Sequence, residues 1–109
     1  MNKLEEIVKI LNELNIKNIK IYDLENSSPF FDYLIISTST NERTSQAVIN
    51  HIKKSNIEVR HIDDNSLEWL LIDFNDIILN VFTEEMRKFY RLDDLFIDKK
   101  QIDLVTVQI

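Results

Sequence analysis

The absence of glycine constrains this chain more than any other feature of its sequence, since none of its 109 residues is glycine. Glycine reaches positive φ angles at little cost, so loops that cradle phosphates and turns that bind dinucleotides normally depend on it. The sequence therefore excludes a P-loop and a Rossmann fingerprint. Any tight turn must also be made by another residue type.

Size and composition are those of one folded domain. With 44% hydrophobic and 29% charged residues, a chain of this length buries a core without covalent cross-links. It contains no cysteine, which excludes disulfides, thiolate catalysis, iron-sulfur clusters and cysteine-ligated zinc. We therefore expect a folded protein from a reducing compartment.

The net charge of −6 makes the chain acidic. Proteins that grip nucleic acid through its phosphates gain much of their affinity from released counterions and carry basic surfaces. The charge therefore predicts no direct nucleic-acid readout and favours a basic protein as partner. The start of the chain lacks the features of a signal or transit peptide, and no apolar run approaches the roughly 18 to 20 residues of a membrane span. We expect a cytoplasmic protein without membrane contact.

Hydrophobic periodicity predicts three helices and five strands. The first helix is amphipathic from Leu4 to Leu14, the second begins at a cap formed by Thr40 or Asn41, and the third runs from Thr83 through Tyr90. The predicted strands are Ile19 to Leu24, Tyr33 to Ser37, Ile57 to Ile62, Glu68 to Phe74 and Ile77 to Phe82.

Two connections follow from this order of elements. The strand from Tyr33, the second helix and the strand ending at Ile62 predict a right-handed crossover between parallel strands. Asn75-Asp76 joins the last two strands as a tight hairpin. We expect a domain of residues 1–97 and a tail of residues 98–109, in which Leu104 to Val107 either pairs as an edge strand or stays unpaired.

The hairpin predicts two different sheet faces. A two-residue turn near Asn75 places odd-numbered residues of the first strand opposite even-numbered residues of the second, and directly opposed residues share a face. One face is aliphatic and belongs to the core. The other carries Trp69, Leu71 and Asp73 beside Ile78, Asn80 and Phe82. This mixture is typical of a protein-binding surface with aromatic anchors, although cover by the first or last helix explains it nearly as well.

Catalytic chemistry finds little support in the sequence. His51 and His61 do not have a zinc-type spacing, and without glycine no nucleophile elbow forms. Asp23 and Glu25 at a strand end resemble the paired carboxylates with which nucleotidyltransferases hold magnesium, but an acidic turn is the simpler interpretation. We therefore predict no enzyme activity, no metal site and no cofactor, and keep a metal-dependent nucleotidyltransferase as the rival hypothesis.

Three ordered blocks resemble the Iojap-like ribosomal silencing factors. The family's Asp-Tyr, hydrophobic strand and Thr-Gly-Thr-Ser-x-Arg block is similar to Asp32 to Arg43, and its tryptophan hairpin is similar to Trp69 to Phe82. Its Arg-x-Phe-Tyr-x-Leu-Glu-x-Leu-Trp ending is matched by Arg87, Phe89, Tyr90, Leu92, Leu95 and Phe96. Ser39 and Asn75 replace family glycines, Asp63-Asp64 replaces Glu-Gly, Asn80 replaces a histidine and Phe96 replaces the final tryptophan.

The resemblance implies a fold, a partner and a set of site residues. The expected fold is a small α/β (α+β) domain with a mixed five-stranded sheet, similar in architecture to nucleotidyltransferases but without their catalysis. Family members bind ribosomal protein L fourteen on the large ribosomal subunit and sterically prevent the small subunit from joining. The implied partner-binding residues are Trp69, Leu71, Asp73, Asn80 and Phe82, flanked by Arg87 and Tyr90.

Two questions stay open at this point. Mitochondrial and chloroplast relatives act in large-subunit assembly, so assembly without silencing is an alternative function. The sequence does not decide the oligomeric state, and a homodimer is one alternative.

Overall fold

The computed structural model describes residues 1–104. They form one mixed sheet with helices on both faces, and no helix among them is long and apolar enough to cross a bilayer. The helices are α1 (Lys3–Glu13), α2 (Glu42–Lys54), α3 (Glu84–Tyr90) and a 3-10 helix (Leu92–Phe96). The strands are β1 (Lys17–Asp23), β2 (Tyr33–Ser39), β3 (His61–Asp63), β4 (Trp69–Asp73), β5 (Ile77–Thr83) and β6 (Gln101–Ile102).

The sheet has the strand order β3-β4-β5-β2-β1-β6. Strands β2 and β5 pair in parallel, and every other pair is antiparallel. Both central strands are almost entirely buried, which matches their nearly continuous apolar sequences. The expected α+β class with a mixed sheet is confirmed, but the sheet has six strands among the described residues instead of five.

The predicted parallel crossover is wrong. The strand after α2 is the short β3, which lies at the sheet edge and pairs antiparallel with β4, so β2 takes β5 as its parallel neighbour. The burial patterns give the reason. The segment around β3 carries Glu58, Arg60, His61 and Asp63, which favour an edge, whereas six consecutive residues of β5 are buried and fit the centre.

The sixth strand comes from the segment predicted as a tail. Gln101 and Ile102 pair antiparallel with Tyr22 and Ile21 at the free edge of β1. Residues 105–109, which include most of the predicted edge strand from Leu104, lie outside the described residues. The division into a domain of residues 1–97 and a tail of residues 98–109 stays a prediction.

Helices α1 and α2 cover one face of the sheet. Their apolar stripes pack on the aliphatic residues of β4 and β5, as the hairpin pattern predicts. The buried residues of this core include Leu4, Ile7, Val8, Leu11, Ile35, Val48, Ile49, Ile52, Leu70, Ile72, Leu79 and Val81. Asn41, one of the two predicted caps, accepts a hydrogen bond from the Thr44 amide at 2.9 Å and starts α2.

The opposite face is covered only in part. Its buried cluster is Tyr22, Leu24, Leu34, Ile36, Ile78 and Phe82, with Phe31, Trp69, Leu71, Met86, Leu92 and Phe96 packed against it at partial exposure. Helix α3, the 3-10 helix and the loop after β1 supply this cover. The tryptophan-bearing strand β4 therefore lies near the surface of this face.

Left-handed turns are made without glycine. Four described residues have positive φ, namely Asn15, Asn18, Asn75 and Arg91, and Asn75 is the predicted hairpin position. Asparagine is the residue after glycine that tolerates this region best, because its short polar side chain can make a local hydrogen bond that offsets the clash of Cβ. Arginine has no such compensation and carries the full steric penalty. Arg91, at φ 52° and ψ 41°, ends α3, and its amide donates to the Arg87 carbonyl.

We expect Arg91→Gly to raise the free energy of unfolding by about 0.5–1 kcal/mol. The substitution removes a left-handed penalty of roughly 1–2 kcal/mol, and the greater freedom of glycine in the unfolded chain offsets part of the gain. The lost Arg91–Asp94 pair is exposed and contributes little. Arg91→Ala is the matched control, because it removes the same ion pair but keeps Cβ. Equal stability of the two variants in denaturant titrations would contradict the prediction.

Candidate protein-docking surface

The β4–β5 ladder brings together the mixed face predicted from the sequence. Trp69 lies opposite Phe82, Leu71 opposite Asn80, and Asp73 opposite Ile78. The pairing confirms the predicted register. It does not place all these side chains at the same depth, because β5 is a central strand and β4 lies nearer the edge.

Two of the predicted contact residues lie beneath the surface. Phe82 has no exposed area and Asn80 is 2% exposed, since Trp69, Leu71 and α3 lie over β5. These two side chains therefore lie beneath the face and not on its exposed surface. Trp69, Leu71 and Asp73 are half-buried.

Three aromatic side chains form the outer part of this face, and we call Trp69, Phe89 and Tyr90 the aromatic patch. The Trp69 ring stacks on Phe82 with 4.9 Å between ring centroids. It also makes a tilted contact with Tyr90, with 4.7 Å between ring centroids. Phe89 meets Tyr90 edge-on at 5.1 Å. Tyr90 is 48% exposed and Phe89 is 73% exposed. Exposed aromatics of this kind are typical anchors of protein interfaces.

Phe89 is a site residue that the sequence analysis did not select. It appears there only as part of the family's Phe-Tyr pair, although its place in α3 carries a usable signal. Met86 packs against the cluster on this face, and Tyr90, four residues later, contacts Trp69 and Phe82, which leaves Phe89 at the border of the apolar side of α3. An aromatic residue at that border extends the predicted patch by one ring.

A buried amide accepts a hydrogen bond from the tryptophan. The Trp69 Nε1–H group donates to Asn80 Oδ1 at 2.8 Å, and Asn80 Nδ2 donates to the Ile35 carbonyl at 3.4 Å. Ser37 Oγ donates to the backbone carbonyl of Asn80 at 2.8 Å. The indole is thereby connected to the two central strands.

Asp73 is not a free acid. Its Oδ2 atom accepts from Nε and Nη2 of Arg60, at 3.0 and 2.7 Å, and its Oδ1 atom accepts from the Asn75 amide at 2.7 Å. Burial alone would raise the pKa of Asp73, but the hydrogen bonds from Asn75 and Arg60 lower it below its ordinary value. The Arg60 charge compensates the carboxylate, so Asp73 offers a partner less net charge than the sequence suggests.

Arg87 connects the elements around this face from inside the molecule. Its Nη1 atom donates to the Asn18 carbonyl at 2.7 Å and to Thr38 Oγ1 at 2.9 Å. Its Nε and Nη2 atoms pair with both oxygens of Asp93, at 3.0 and 2.9 Å. With its side chain only 13% exposed, Arg87 connects α3 to β1, β2 and the 3-10 helix instead of flanking the surface as expected.

Asp93 and Tyr22 complete this internal network. Burial alone would raise the pKa of Asp93, but the Arg87 guanidinium and the Tyr22 hydroxyl lower it below its ordinary value of 3.8. Burial, together with the Asp93 charge and hydrogen bond, raises the pKa of Tyr22 to about 12. Both shifts favour an ionised Asp93 that accepts from a neutral phenol.

An apolar groove continues the face away from the aromatic patch. It has a volume of about 510 Å³ and is bordered by Asp73 and Lys99. Its apolar lining is Leu24, Phe31, Leu34, Leu71, Ile78 and Phe96. Leu71 is common to the groove and to the predicted docking face, so the two form one surface along β4.

Asp23 and Glu25, the two carboxylates of the rival metal site, make local hydrogen bonds at the end of β1 and in the loop that follows it. Asp23 Oδ1 accepts from the Glu25 amide at 3.0 Å, and Glu25 Oε1 accepts from the Tyr33 hydroxyl at 3.0 Å. Within residues 1–104 no group of three or more histidine, aspartate or glutamate side chains is arranged to hold a metal ion. These contacts fit the interpretation of an acidic turn.

We expect Asp93→Asn to lower the free energy of unfolding by about 2 kcal/mol at neutral pH, because hydrogen bonds to charged groups contribute roughly 1.5–3 kcal/mol. The pKa of Asp93 is lower in the folded state, so its stabilisation is complete above the ordinary value of 3.8 and is lost as the pH falls through the folded-state pKa. The difference in the free energy of unfolding between wild type and Asp93→Asn should therefore shrink below pH 3.8. Asp94→Asn, at an exposed neighbour, is the control. A difference that stays constant down to pH 2 would argue against the network.

Comparison with known proteins identifies the family. The sequence profile described as "Ribosomal silencing factor during starvation" matches residues 1–108. The chain is 28% identical over 93 residues to ribosomal silencing factor RsfS of Bacillus subtilis, which covers 81% of this chain and 79% of that protein. It is 23% identical over 105 residues to the Mus musculus protein named mitochondrial assembly of ribosomal large subunit protein 1, covering 85% of this chain and 44% of that protein.

A solved structure shares the fold. The crystal structure of a protein from Bacillus halodurans superposes with a TM-score of 0.78 at 23% identity, over 93% of this chain and 96% of that chain. The likeness supports the architecture described above. Because the family profile covers nearly the whole sequence, the resemblance seen in the three sequence blocks is confirmed, and the chain belongs to the family of ribosomal silencing factors.

Proposed function

We propose that the protein represses translation by binding the large ribosomal subunit through ribosomal protein L fourteen and sterically blocking the joining of the small subunit. The observation that carries this proposal is the partly exposed aromatic patch on β4 and α3, in a chain of the ribosomal silencing factor family. The proposed contact residues are Trp69, Leu71, Phe89 and Tyr90. They are supported from below by Asn80, Phe82 and Arg87. Asp73 acts with Arg60 at the rim of this surface.

The surface has the physical character of a docking site. Aromatic side chains provide contact area at a small entropic cost, and a large ring at the centre of a desolvated patch carries much of the binding energy in many interfaces. Exposed acids lie on the same helix as Phe89 and Tyr90, namely Glu84 and Glu85. With a net charge of −6, the protein suits a basic ribosomal partner.

Assembly of the large subunit without silencing is the second candidate. The name of the Mus musculus relative favours it, since that protein is called an assembly factor of the mitochondrial large subunit. Both functions need a contact with the large subunit, so the same surface serves either. They differ in whether the bound protein stops small-subunit joining.

Cosedimentation with isolated ribosomal subunits tests the proposal. We expect the protein to travel with large subunits and not with small subunits. A light-scattering measurement of subunit joining then separates the two candidates, because a silencer slows joining and an assembly factor leaves it unchanged. Absence of large-subunit binding would overturn both, and calorimetry with magnesium and nucleoside triphosphates would then test the nucleotidyltransferase hypothesis.

Tyr90→Ala should weaken large-subunit binding by about tenfold, which is roughly 1.4 kcal/mol. The ring is half-exposed and packs on the indole of Trp69, so its loss removes contact area at the centre of the patch. We expect a small change in the free energy of unfolding, because the ring is not part of the core. Phe30→Ala is the matched control, since Phe30 is 77% exposed but lies in the loop before β2.

Binding and unfolding are measured on both variants by cosedimentation and by denaturant titration. The proposal requires that the two truncations differ in binding and not in stability. If Tyr90→Ala binds large subunits as tightly as Phe30→Ala does, the aromatic patch is not the docking surface.

Charge should affect the rate of association more than the final affinity. Exposed charges are screened over roughly 8 Å at physiological ionic strength, so association should slow as salt rises. Glu85→Lys, on α3 beside the patch, should slow association more than Glu13→Lys, at the end of α1 on the opposite face of the sheet. Both substitutions change the net charge equally. Equal rates for the two variants in stopped-flow experiments would remove local charge steering from the mechanism.

A further inference from the structure

We propose that Asn80 is a positioning residue that holds the indole of Trp69 in one orientation and so presents the aromatic patch in its binding conformation. This inference rests on the proposed function, because it assigns a purpose to a contact beneath that same surface. Its physical basis is the hydrogen bond of 2.8 Å from Trp69 Nε1 to Asn80 Oδ1.

In the apolar surroundings of Asn80, an amide is not explained by a need only to fill space. Its side chain is buried in a cluster that includes Leu34, Ile36, Ile78 and Phe82, and burying an amide in such a place costs free energy unless it is hydrogen-bonded. An aliphatic residue would fill the space without that penalty, as Leu79 and Val81 do on the other face. What the amide adds is an acceptor for the indole and a donor to the Ile35 carbonyl.

The aromatic contacts of Trp69 leave its orientation undecided. Stacking on Phe82 and the tilted contact with Tyr90 restrict the plane of the indole, but a half-turn about the Cβ–Cγ bond returns the ring to the same plane and keeps much of the same apolar contact. The flipped ring would lose the buried acceptor for its N–H group. The hydrogen bond to Asn80 therefore selects one of the two orientations before a partner arrives, which reduces the ordering cost of binding.

The chain contains a single tryptophan, so one indole N–H signal in a ¹H–¹⁵N NMR spectrum reports on this contact. In the wild type we expect that proton to exchange with solvent at least tenfold more slowly than in Asn80→Leu, and we expect Asn80→Leu to bind large subunits about tenfold more weakly. Ser37→Ala is the control, because it removes a buried hydrogen bond to the Asn80 backbone without touching the indole. It should retain the slow exchange.

Several results would overturn the inference. One is a wild-type indole proton that exchanges as fast as that of free indole, a measurement that needs no folded variant. Another is loss of protection in Ser37→Ala to the same degree as in Asn80→Leu. In a Trp69→Phe background, which lacks the N–H group, Asn80→Leu should cause no further loss of binding, and an additional tenfold loss would show that the amide acts elsewhere.

The same measurements separate this inference from the proposed function. If Asn80→Leu releases the indole but binds normally while Tyr90→Ala binds weakly, the positioning role is wrong and the docking surface stands. If Tyr90→Ala and Trp69→Ala both bind normally, the docking surface itself is wrong.

Discussion

Seven consecutive residue pairs join β2 to β5 in parallel, from Tyr33 beside Ile77 to Ser39 beside Thr83. Both strands are buried on two faces, so their side chains hold α1 and α2 on one side and the tryptophan-bearing face on the other. The position of β4 follows from this pairing, because β4 can only add to the outer edge of β5. Every side chain of the proposed docking surface is thus placed relative to the β2–β5 pair.

Residues paired across β4 and β5 differ in depth, and this difference separates exposed side chains of the proposed docking surface from the buried ones beneath them. Trp69 and Phe82 are direct neighbours across the ladder, yet one reaches the surface and the other is fully buried. The outer residue is available to a partner, and the inner residue supplies the ring on which it stacks. Asn80 belongs to the inner set, and its amide acts on the outer set through one hydrogen bond. Under the proposed function, a patch supported in this way would meet its partner already ordered.

The glycine-free sequence is accommodated at a small number of backbone positions. Asn75 closes the β4–β5 hairpin with positive φ, and its side chain also accepts from Arg60, which pairs with Asp73. The residue that makes the turn therefore also orders the rim of the docking surface. At Arg91 the left-handed position ends α3 and directs the chain into the 3-10 helix, which brings Asp93 to Arg87. The left-handed backbone at Asn75 and Arg91 therefore helps to set the positions of Arg60, Asp73 and Asp93 around this face.

The sequence by itself determined the helices, the central strands, the hairpin and the composition of its two faces, because these depend on local periodicity and on turn residues. The sequence also contains the three blocks that identify the family. Only the tertiary structure decided the strand order, the depth of each side chain and the partners of Arg87 and Asp73. The charged residues around β3 favour a sheet edge, but hydrophobic periodicity predicts only that a segment is a strand and does not name its neighbour, because strand pairing depends on contacts between residues far apart in the sequence. Burial depends on what lies above a residue, and both Phe82 and Asn80 are covered by Trp69, which lies thirteen and eleven positions away in the sequence.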